Sequence, residues 1–128
     1  MRLSELRDHE KEDFLSDEEL RFNRSMKEYH PIYNNMAFPD PMSKPCRTVT
    51  ATCTRVSRES IIVKDSNKYR RLTIRERACV QGFPIFYQFH ADSYPAKMKM
   101  VGNAVPPVFT YYIANAMQEI AAKSFVPP

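Results

Sequence analysis

The chain has 128 residues, a net charge of +4 and only two glycines, Gly82 and Gly102. This length suffices for one domain at most, and no apolar run approaches the roughly 18 residues that a membrane span needs. Two glycines are also too few for a Gly-rich loop that cradles a cofactor.

The cysteines and histidines indicate neither a metal site nor a disulfide framework. Cys46, Cys53 and Cys79 are an odd number without metal-ligand spacing. The N-terminus lacks the apolar core of a signal peptide, so we expect a soluble, cytoplasmic protein. The histidines are scattered, which is typical of surface or partly satisfied side chains: His9, His30 and His90.

The first predicted element is a helix from Asp17 to about Tyr29. Ser16 and Glu19 have the spacing of a capping box, which places the helix start between them. The expected buried stripe of this helix consists of Leu20, Phe22, Met26 and Tyr29. The prolines that follow predict an extended connection: Pro31, Pro39, Pro41 and Pro45.

Two short strands are predicted next. Residues 47–56 alternate threonine with Val49, Ala51 and Cys53, and this period of two indicates a strand. Residues 60–64 form a second apolar run, so residues 57–59 are expected to be the hairpin loop between the strands. Residues 65–68 predict a turn, and residues 69–72 lead into the next helix.

Two helices complete the predicted order. Thr73 and Glu76 form a second capping-box pattern, which starts a helix at Ile74, and Gly82 stops it. Gly102-Asn103 predicts a tight turn, and residues 106–107 open a last helix that runs to about residue 123. Its apolar face is wide, so we expect marginal stability for the chain alone. That face comprises Phe109, Tyr112, Ile113, Ala116, Met117, Ile120 and Ala121.

Two segments resemble motifs IX and X of the cytosine-C5 DNA methyltransferases. We call residues 71–84 the motif IX segment; they fit the pattern Arg-Leu-Thr-x-Arg-Glu-x-Ala-x-x-Gln-Gly-Phe-Pro. We call residues 101–107 the motif X segment, which contains Gly-Asn-Ala-Val-Pro-Pro without a departure. The spacing between the segments also suits the family, and the resemblance covers roughly residues 44–123.

The resemblance implies an α+β fragment with an N-terminal helix, a β-hairpin, a short motif IX helix and a long C-terminal amphipathic helix. Such a fragment is the C-terminal portion of the S-adenosylmethionine-dependent methyltransferase fold, without its doubly wound catalytic sheet. Residues 1–43 would be a helical and proline-rich segment. Residues 44–70 would end the target recognition region, and residues 71–128 would hold motif IX, motif X and the last helix.

No catalytic residue is expected in this chain. The Pro-Cys-Gln nucleophile motif of the family is absent, because Arg47 follows Pro45-Cys46 in a different block of the sequence. The resemblance therefore implies a C-terminal subunit or fragment that is inactive alone and works with a chain carrying the nucleophile and the Gly-rich loop. A non-catalytic DNA-binding module and an inactive remnant are the alternatives. Restriction protection and regulation both stay open as the purpose of the methylation.

A basic region is expected to face double-stranded DNA. Ten of the thirteen Lys and Arg residues in the range 31–128 lie between Lys44 and Arg77. The alternative for the basic region is a solvated surface of ordinary Lys and Arg residues, and the alternative for residues 54–60 is a polar hairpin tip that contacts nothing. By the resemblance, the DNA-binding residues would be Arg47, Thr54, Arg55, Ser57 and Arg58.

The two motif segments carry the remaining expected roles. Asn103, with Ala104 and Val105, matches the block that approaches S-adenosylmethionine, although Asn103 could instead only stabilise its turn. Glu76 could act as a general base, but the capping box accounts for it locally. The expected structural residues are Arg71, Thr73, Arg75, Glu76, Gln81, Gly82 and Gly102.

Overall fold

The computed structural model describes residues 12–29, 31–32 and 35–124, so the expectations for His9 and His30 lie outside the described residues. The two strands form one antiparallel hairpin, and the described residues are therefore α+β, as predicted. In chain order the elements are α1 (Asp17–Glu28), β1 (Ile62–Asp65), β2 (Lys68–Arg71), α2 (Ile74–Val80), α3 (Tyr94–Asn103) and α4 (Pro107–Ser124).

Helix α1 begins as predicted but buries a different face. The Ser16 hydroxyl accepts from the Glu19 N–H, and the Glu19 carboxylate accepts from the Ser16 N–H, which completes the capping box. The predicted stripe is wrong, because Phe22, Met26 and Tyr29 are exposed and Leu20 is only half-buried. The side chains that α1 buries are Asn23 and Lys27.

Lys27 shows why α1 can bury a polar face. Its ammonium group donates to the Asn23 side-chain oxygen at 3.2 Å, to the Ser60 carbonyl at 2.7 Å and to the Ser60 hydroxyl at 3.3 Å. Three acceptors match the three N–H groups of an ammonium, so its burial is compensated by hydrogen bonds. Burial nevertheless lowers the pKa of Lys27 to about 8.

The hairpin is formed by different residues from those predicted. β1 pairs with β2, with Ile62 opposite Arg71 and Asp65 opposite Lys68, so the predicted turn at residues 65–68 joins the two strands. The predicted strand over residues 47–56 is wrong, and residues 57–59 are therefore not a hairpin loop. The alternation of side chains is present in the sequence, but no strand among the described residues pairs with this segment.

Side chains take the place of that neighbouring strand. Arg71 donates to the Cys53 carbonyl at 2.7 Å, Arg77 donates to the Thr50 carbonyl, and Asn23 donates to the Arg55 carbonyl at 2.8 Å. Backbone carbonyls that are removed from water need such partners. Guanidinium and amide groups thus hold residues 50–55 in place without a sheet.

Helix α2 has the predicted beginning and end. The Thr73–Glu76 capping box is present, and Gly82 takes the left-handed conformation with φ at 82°. The Gly82 N–H donates to the Cys79 carbonyl, and the Phe83 N–H donates to the Ala78 carbonyl, which together form a Schellman ending.

The core consists of two small clusters around α2 and the hairpin. Val49 packs against both clusters and so joins them. One cluster contains Ile74, Ala78, Phe89, Met98 and Val101. The other contains Ile61, Val63 and Leu72.

The prediction of a tight turn at Gly102-Asn103 is wrong. Both residues belong to α3, which Ser93 caps by accepting from the Ala96 N–H and which carries Pro95 in its first turn. A Cβ atom built on Gly102 would overlap the backbone of Thr50 and Ala51. Gly102 is therefore required for the close approach of α3 to that segment, and its position in the sequence does not mark a turn.

Helix α4 begins at Pro107, as the two prolines predicted, and most of its side chains are exposed. Phe109 is 65% exposed and Tyr112 is 68% exposed. Within the described residues, the predicted apolar face of α4 is not covered.

Candidate functional site

The motif IX segment supports the fold through several buried or half-buried polar side chains. Arg71 pairs with the buried Glu12 carboxylate, with a shortest contact of 2.9 Å. Glu12 also accepts from the Tyr94 hydroxyl at 2.6 Å, so it links the hairpin to the start of α3. Arg75 is buried and donates to the Tyr87 carbonyl. These contacts place both arginines in the scaffold of the domain.

The Glu76 carboxylate is held by its neighbours. It accepts from the Thr73 N–H at 2.8 Å and from two Arg70 nitrogens at 2.7 and 2.9 Å. Burial opposes ionisation of Glu76, but the Arg70 and Thr73 hydrogen bonds outweigh it and hold the pKa of this carboxyl below its ordinary value. An ionised carboxylate with these partners serves as a helix cap.

Gln81 joins the two motif segments directly. Its side-chain amide donates to the Val101 carbonyl at 2.6 Å. Val101 lies in the last turn of α3, and its carbonyl also accepts from the backbone N–H of the C-cap residue Ala104 at 3.3 Å. The motif IX helix therefore fixes the position of the residues that follow Val101.

Two of the predicted DNA-binding residues have their guanidinium groups engaged inside the chain. Arg47 contacts the two Asp40 carboxylate oxygens at 2.5 and 2.8 Å and donates to the Ser60 carbonyl at 2.9 Å. Arg55 contacts both Glu19 carboxylate oxygens at 2.5 and 3.0 Å and donates to the Phe14 carbonyl at 2.9 Å. Bidentate pairs of this kind are among the stronger side-chain interactions.

Of the other three predicted DNA-binding residues, one is exposed and two are half-buried. Thr54 is exposed, and Ser57 is half-buried with its hydroxyl 3.5 Å from the Thr54 carbonyl. Arg58 is half-buried and donates to the Met26 carbonyl at 2.9 Å. These residues follow one another along one loop, and Arg47 and Arg55 hold that loop against Asp40 and α1.

The basic region as a whole has two kinds of residues. Every arginine between positions 44 and 77 donates to an oxygen acceptor within the described residues, whereas the three lysines are exposed. Composition alone could not separate these groups, because arginine binds carbonyls and phosphates equally well. The arginines are Arg47, Arg55, Arg58, Arg70, Arg71, Arg75 and Arg77. The lysines are Lys44, Lys64 and Lys68.

The expected cofactor residues form an open edge at the end of α3. Asn103 is exposed, Ala104 is the half-buried C-cap, and Val105 is 61% exposed. No hydrogen bond joins the Asn103 side chain to another residue of the described ranges. An unengaged amide beside an exposed apolar side chain fits one side of a bound ligand, but the described residues supply no opposite wall.

A cavity of about 410 Å³ lies between the proline-rich connection and the hairpin. Its lining is mainly apolar, and the Asp40–Arg47 ion pair is its principal charged feature. Cys46 also lines it, and partial burial, with the nearby Asp40 carboxylate, raises the pKa of the Cys46 thiol. A raised pKa lowers the fraction of thiolate, which is the nucleophilic form of cysteine.

Metal and membrane roles find no support in the described part of the chain. No group of three or more histidine, cysteine, aspartate or glutamate side chains there is arranged to hold a metal ion. Among the same residues, no helix combines the length and apolar character needed to cross a membrane.

The chain is similar in sequence to known type II methyltransferases. The type II methyltransferase M.FnuDI of Fusobacterium nucleatum is 51% identical over 53 residues, which are 41% of this chain and 15% of that protein. The type II methyltransferase M.AquIB of Picosynechococcus is 43% identical over 60 residues, which are 39% of this chain and 43% of that protein. The chain thus matches less than half the length of either relative, and the second relative is similar in size to this chain.

No solved structure matches the chain. The model of the family described as C-5 cytosine-specific DNA methylase matches residues 4–119, which is most of the sequence. The chain therefore belongs to the C-5 cytosine-specific DNA methylase family.

Proposed function

We propose that this chain is the C-terminal subunit or fragment of a DNA (cytosine-5-)-methyltransferase. In this proposal it contributes DNA recognition and one edge of the S-adenosylmethionine pocket, and it is inactive alone. A second chain supplies the Gly-rich loop and the Pro-Cys-Gln nucleophile. S-adenosylmethionine supplies the methyl group when it is bound. The relatives support the reaction class, and a relative of similar size supports a separate chain.

Helix α4 is the observation that carries this proposal. Val108, Phe109, Tyr111, Ile113 and Ile120 are each roughly half exposed or more, and α4 carries only two charged residues, Glu119 and Lys123. An apolar surface of this extent on a small protein marks an interaction site. We assign this surface to the catalytic chain, which would cover α4 and also supply the missing wall beside Asn103.

The cofactor edge is built by contacts that this chain supplies itself. Gln81 fixes the Val101 carbonyl, and Gly102 permits α3 to lie against residues 50–51. Asn103 follows immediately and presents an amide with both donor and acceptor capacity. In the proposal Asn103 holds a polar edge of the cofactor, and Val105 contacts its apolar part.

On the DNA side, the proposal divides the predicted residues into two roles. Thr54, Ser57 and Arg58 face DNA from the loop that they share. Arg47 and Arg55, whose guanidinium groups are engaged by Asp40 and Glu19, keep that loop in position. Positioning by these partly buried ion pairs and contact by the loop hydroxyls are separable by mutation, because loss of an ion pair that holds the loop changes stability first.

The cofactor role is tested with the chain assembled with its catalytic partner. Asn103→Ala should raise the KM for S-adenosylmethionine about tenfold, which corresponds to loss of one polar contact of about 1.4 kcal/mol. The KM for DNA should change little. Asn35→Ala is the matched control, because Asn35 is exposed and lies outside both motif segments. An unchanged KM for the cofactor in Asn103→Ala would remove Asn103 from the pocket.

The alternative of a non-catalytic DNA-binding module predicts a different result. The chain would then bind duplex DNA in a salt-dependent way, yet no catalytic chain of the family would gain activity from it. The uncovered face of α4 favours the subunit proposal over this alternative, since a self-sufficient binding module has no need of it.

A further inference from the structure

Hydrogen bonds from residues outside the hairpin β1–β2 cover its two edges. The Leu15 N–H donates to the Tyr69 carbonyl at 2.8 Å on the β2 edge. On the β1 edge, the Asp40 N–H donates to the Ile62 carbonyl, and the Asp40 carboxylate accepts from the Ile62 N–H, both at 2.8 Å. Ile62 itself is fully buried. The β1 edge is therefore covered at the base of the hairpin, and the β2 edge is covered at Tyr69, opposite Lys64.

The tip of the hairpin, residues 64–68, differs from the base in exposure. Lys64, Ser66, Asn67 and Lys68 are all exposed. Residues that face each other across an antiparallel pair share one face of the ribbon, and successive residues alternate between faces. Lys64 faces Tyr69, and Lys68 faces Asp65, so the two lysines lie on opposite faces of the tip.

The positive charge of the tip is not neutralised by the neighbouring acid. The Asp65 carboxylate contacts the Arg70 guanidinium at 2.8 Å. No carboxylate of the described ranges forms an ion pair with either tip lysine, and the Lys68 ammonium lies 5.1 Å from the centre of the Phe14 ring. The tip thus presents two ammonium groups, one hydroxyl and one amide to solvent.

We propose that this tip is a DNA-contacting element; the inference rests on the proposed function and assigns DNA contact to two particular lysines of the basic region. Paired strands lie about 4.8 Å apart, so a two-stranded ribbon fits the major groove of about 12 Å. A lysine on each face then reaches a phosphate of each DNA strand that borders the groove. Ser66 and Asn67, between them, point toward the base edges.

The charge inventory supports this assignment over the rest of the basic region. Each arginine there donates to an acceptor within the chain, whereas Lys64 and Lys68 form no ion pair with a carboxylate of the described residues and keep their charge for phosphates. Lysine binds phosphate as a point charge, which suits backbone contact. Lys64 and Lys68 are the two that share one projecting element.

The test is binding of the full chain to a short labelled duplex, followed by fluorescence anisotropy over salt concentrations of about 0.05 to 0.2 M. Lys64→Gln with Lys68→Gln should reduce the steepness of log K against log salt by about 1.8, since each lost phosphate contact contributes about 0.9. Lys99→Gln with Lys123→Gln is the matched control, because both lysines are exposed and the same charge is removed.

The control pair should leave affinity and salt dependence close to those of the natural sequence. Lys64→Arg with Lys68→Arg should retain the full slope, which separates loss of charge from loss of folding. Equal effects of the two glutamine pairs, or no DNA binding by the natural sequence, would overturn the proposal. If Lys64→Gln with Lys68→Gln left DNA binding unchanged, the inference about the tip would also be overturned. The proposed function itself would then stand.

Discussion

The Gln81 side-chain amide donates a hydrogen bond of 2.6 Å to the Val101 carbonyl and so connects the motif IX segment to the motif X segment. The ring of Phe83, at the end of the motif IX segment, packs with the rings of Tyr87 and Phe89 in the loop that follows it. The Gln81–Val101 bond, together with the apolar core cluster that α2 and α3 share, positions the end of α3 relative to α2. The exposed residues at that end include Asn103.

Replacing Gln81 with alanine should destabilise the chain by about 1–2 kcal/mol, because the Val101 carbonyl loses its side-chain donor. The free energy of unfolding from urea titration measures the effect. Gln118→Ala on the exposed α4 is the control and should change stability by less than about 0.5 kcal/mol. Equal values for the two variants would show that the Gln81–Val101 bond does not hold the segments together.

Replacing Gly102 with alanine should also destabilise the chain, although alanine is the better helix former by about 1 kcal/mol. The added Cβ would overlap the backbone of Thr50 and Ala51, which cannot move aside as a flexible side chain can. We expect a loss of about 1–3 kcal/mol. Lys99→Ala, at an exposed position of the same helix, should be nearly neutral. A more stable Gly102→Ala variant would contradict the close approach of α3 to residues 50–51.

The sequence predicted the ends of α1 and α2 because capping is local. A hydroxyl and a carboxylate three residues apart, or a glycine that can take a left-handed conformation, act on their own turn. The turn predicted at Gly102 is wrong because the need for glycine there is not local. Its requirement comes from Ala51, about fifty positions earlier in the sequence, and nothing near Gly102 indicates that contact. A turn at this position is incompatible with the helix α3 that the structure has there. Ser93 as an N-cap and Pro95 in the first turn are the sequence features that indicate α3.

Acid should weaken the fold through Glu19. The Arg55 hydrogen bond lowers the pKa of Glu19 from 4.5 to about 2. Because the folded-state pKa lies below the unfolded one, this pair contributes its full stability above pH 4.5 and loses it as the pH falls toward 2. Glu19→Gln can still accept at the helix cap but cannot form the ion pair.

The free energy of unfolding, measured between pH 5 and pH 2.5, tests this pair. The natural chain should lose more stability over that range than Glu19→Gln does, and the two should approach each other at low pH. Glu18→Gln, at an exposed neighbouring position, controls for the loss of one negative charge on α1. Parallel curves for the natural chain and Glu19→Gln would show that the Arg55 pair contributes nothing.

Polar substitutions on α4 should separate folding from assembly. Ile113 and Met117 are 48% and 65% exposed, so Ile113→Gln with Met117→Gln should change the stability of the chain alone by less than about 1 kcal/mol. The same pair should weaken association with the catalytic chain at least tenfold, as measured by calorimetry. A large loss of stability in the chain alone would mean that α4 packs within it.

The basic region shows what composition can predict about a binding site and what it cannot. The concentration of arginine and lysine between residues 44 and 77 was visible in the sequence, and so was the resemblance to the family. The sequence did not show which carboxylates pair with these arginines, because Glu12, Glu19 and Asp40 lie in distant or proline-rich parts of the chain. Only the fold shows that Arg55 and Arg71 meet carboxylates of the N-terminal region.

Transfer of a labelled methyl group from S-adenosylmethionine to DNA tests the central proposal most directly. It would be measured with this chain alone, with a catalytic chain of the same source carrying the Gly-rich loop and Pro-Cys-Gln motif, and with both together. The proposal predicts incorporation only in the mixture, and loss of it when Ile113 and Met117 are replaced by glutamine. Incorporation by this chain alone, or by the catalytic chain alone at the rate of the mixture, would contradict it.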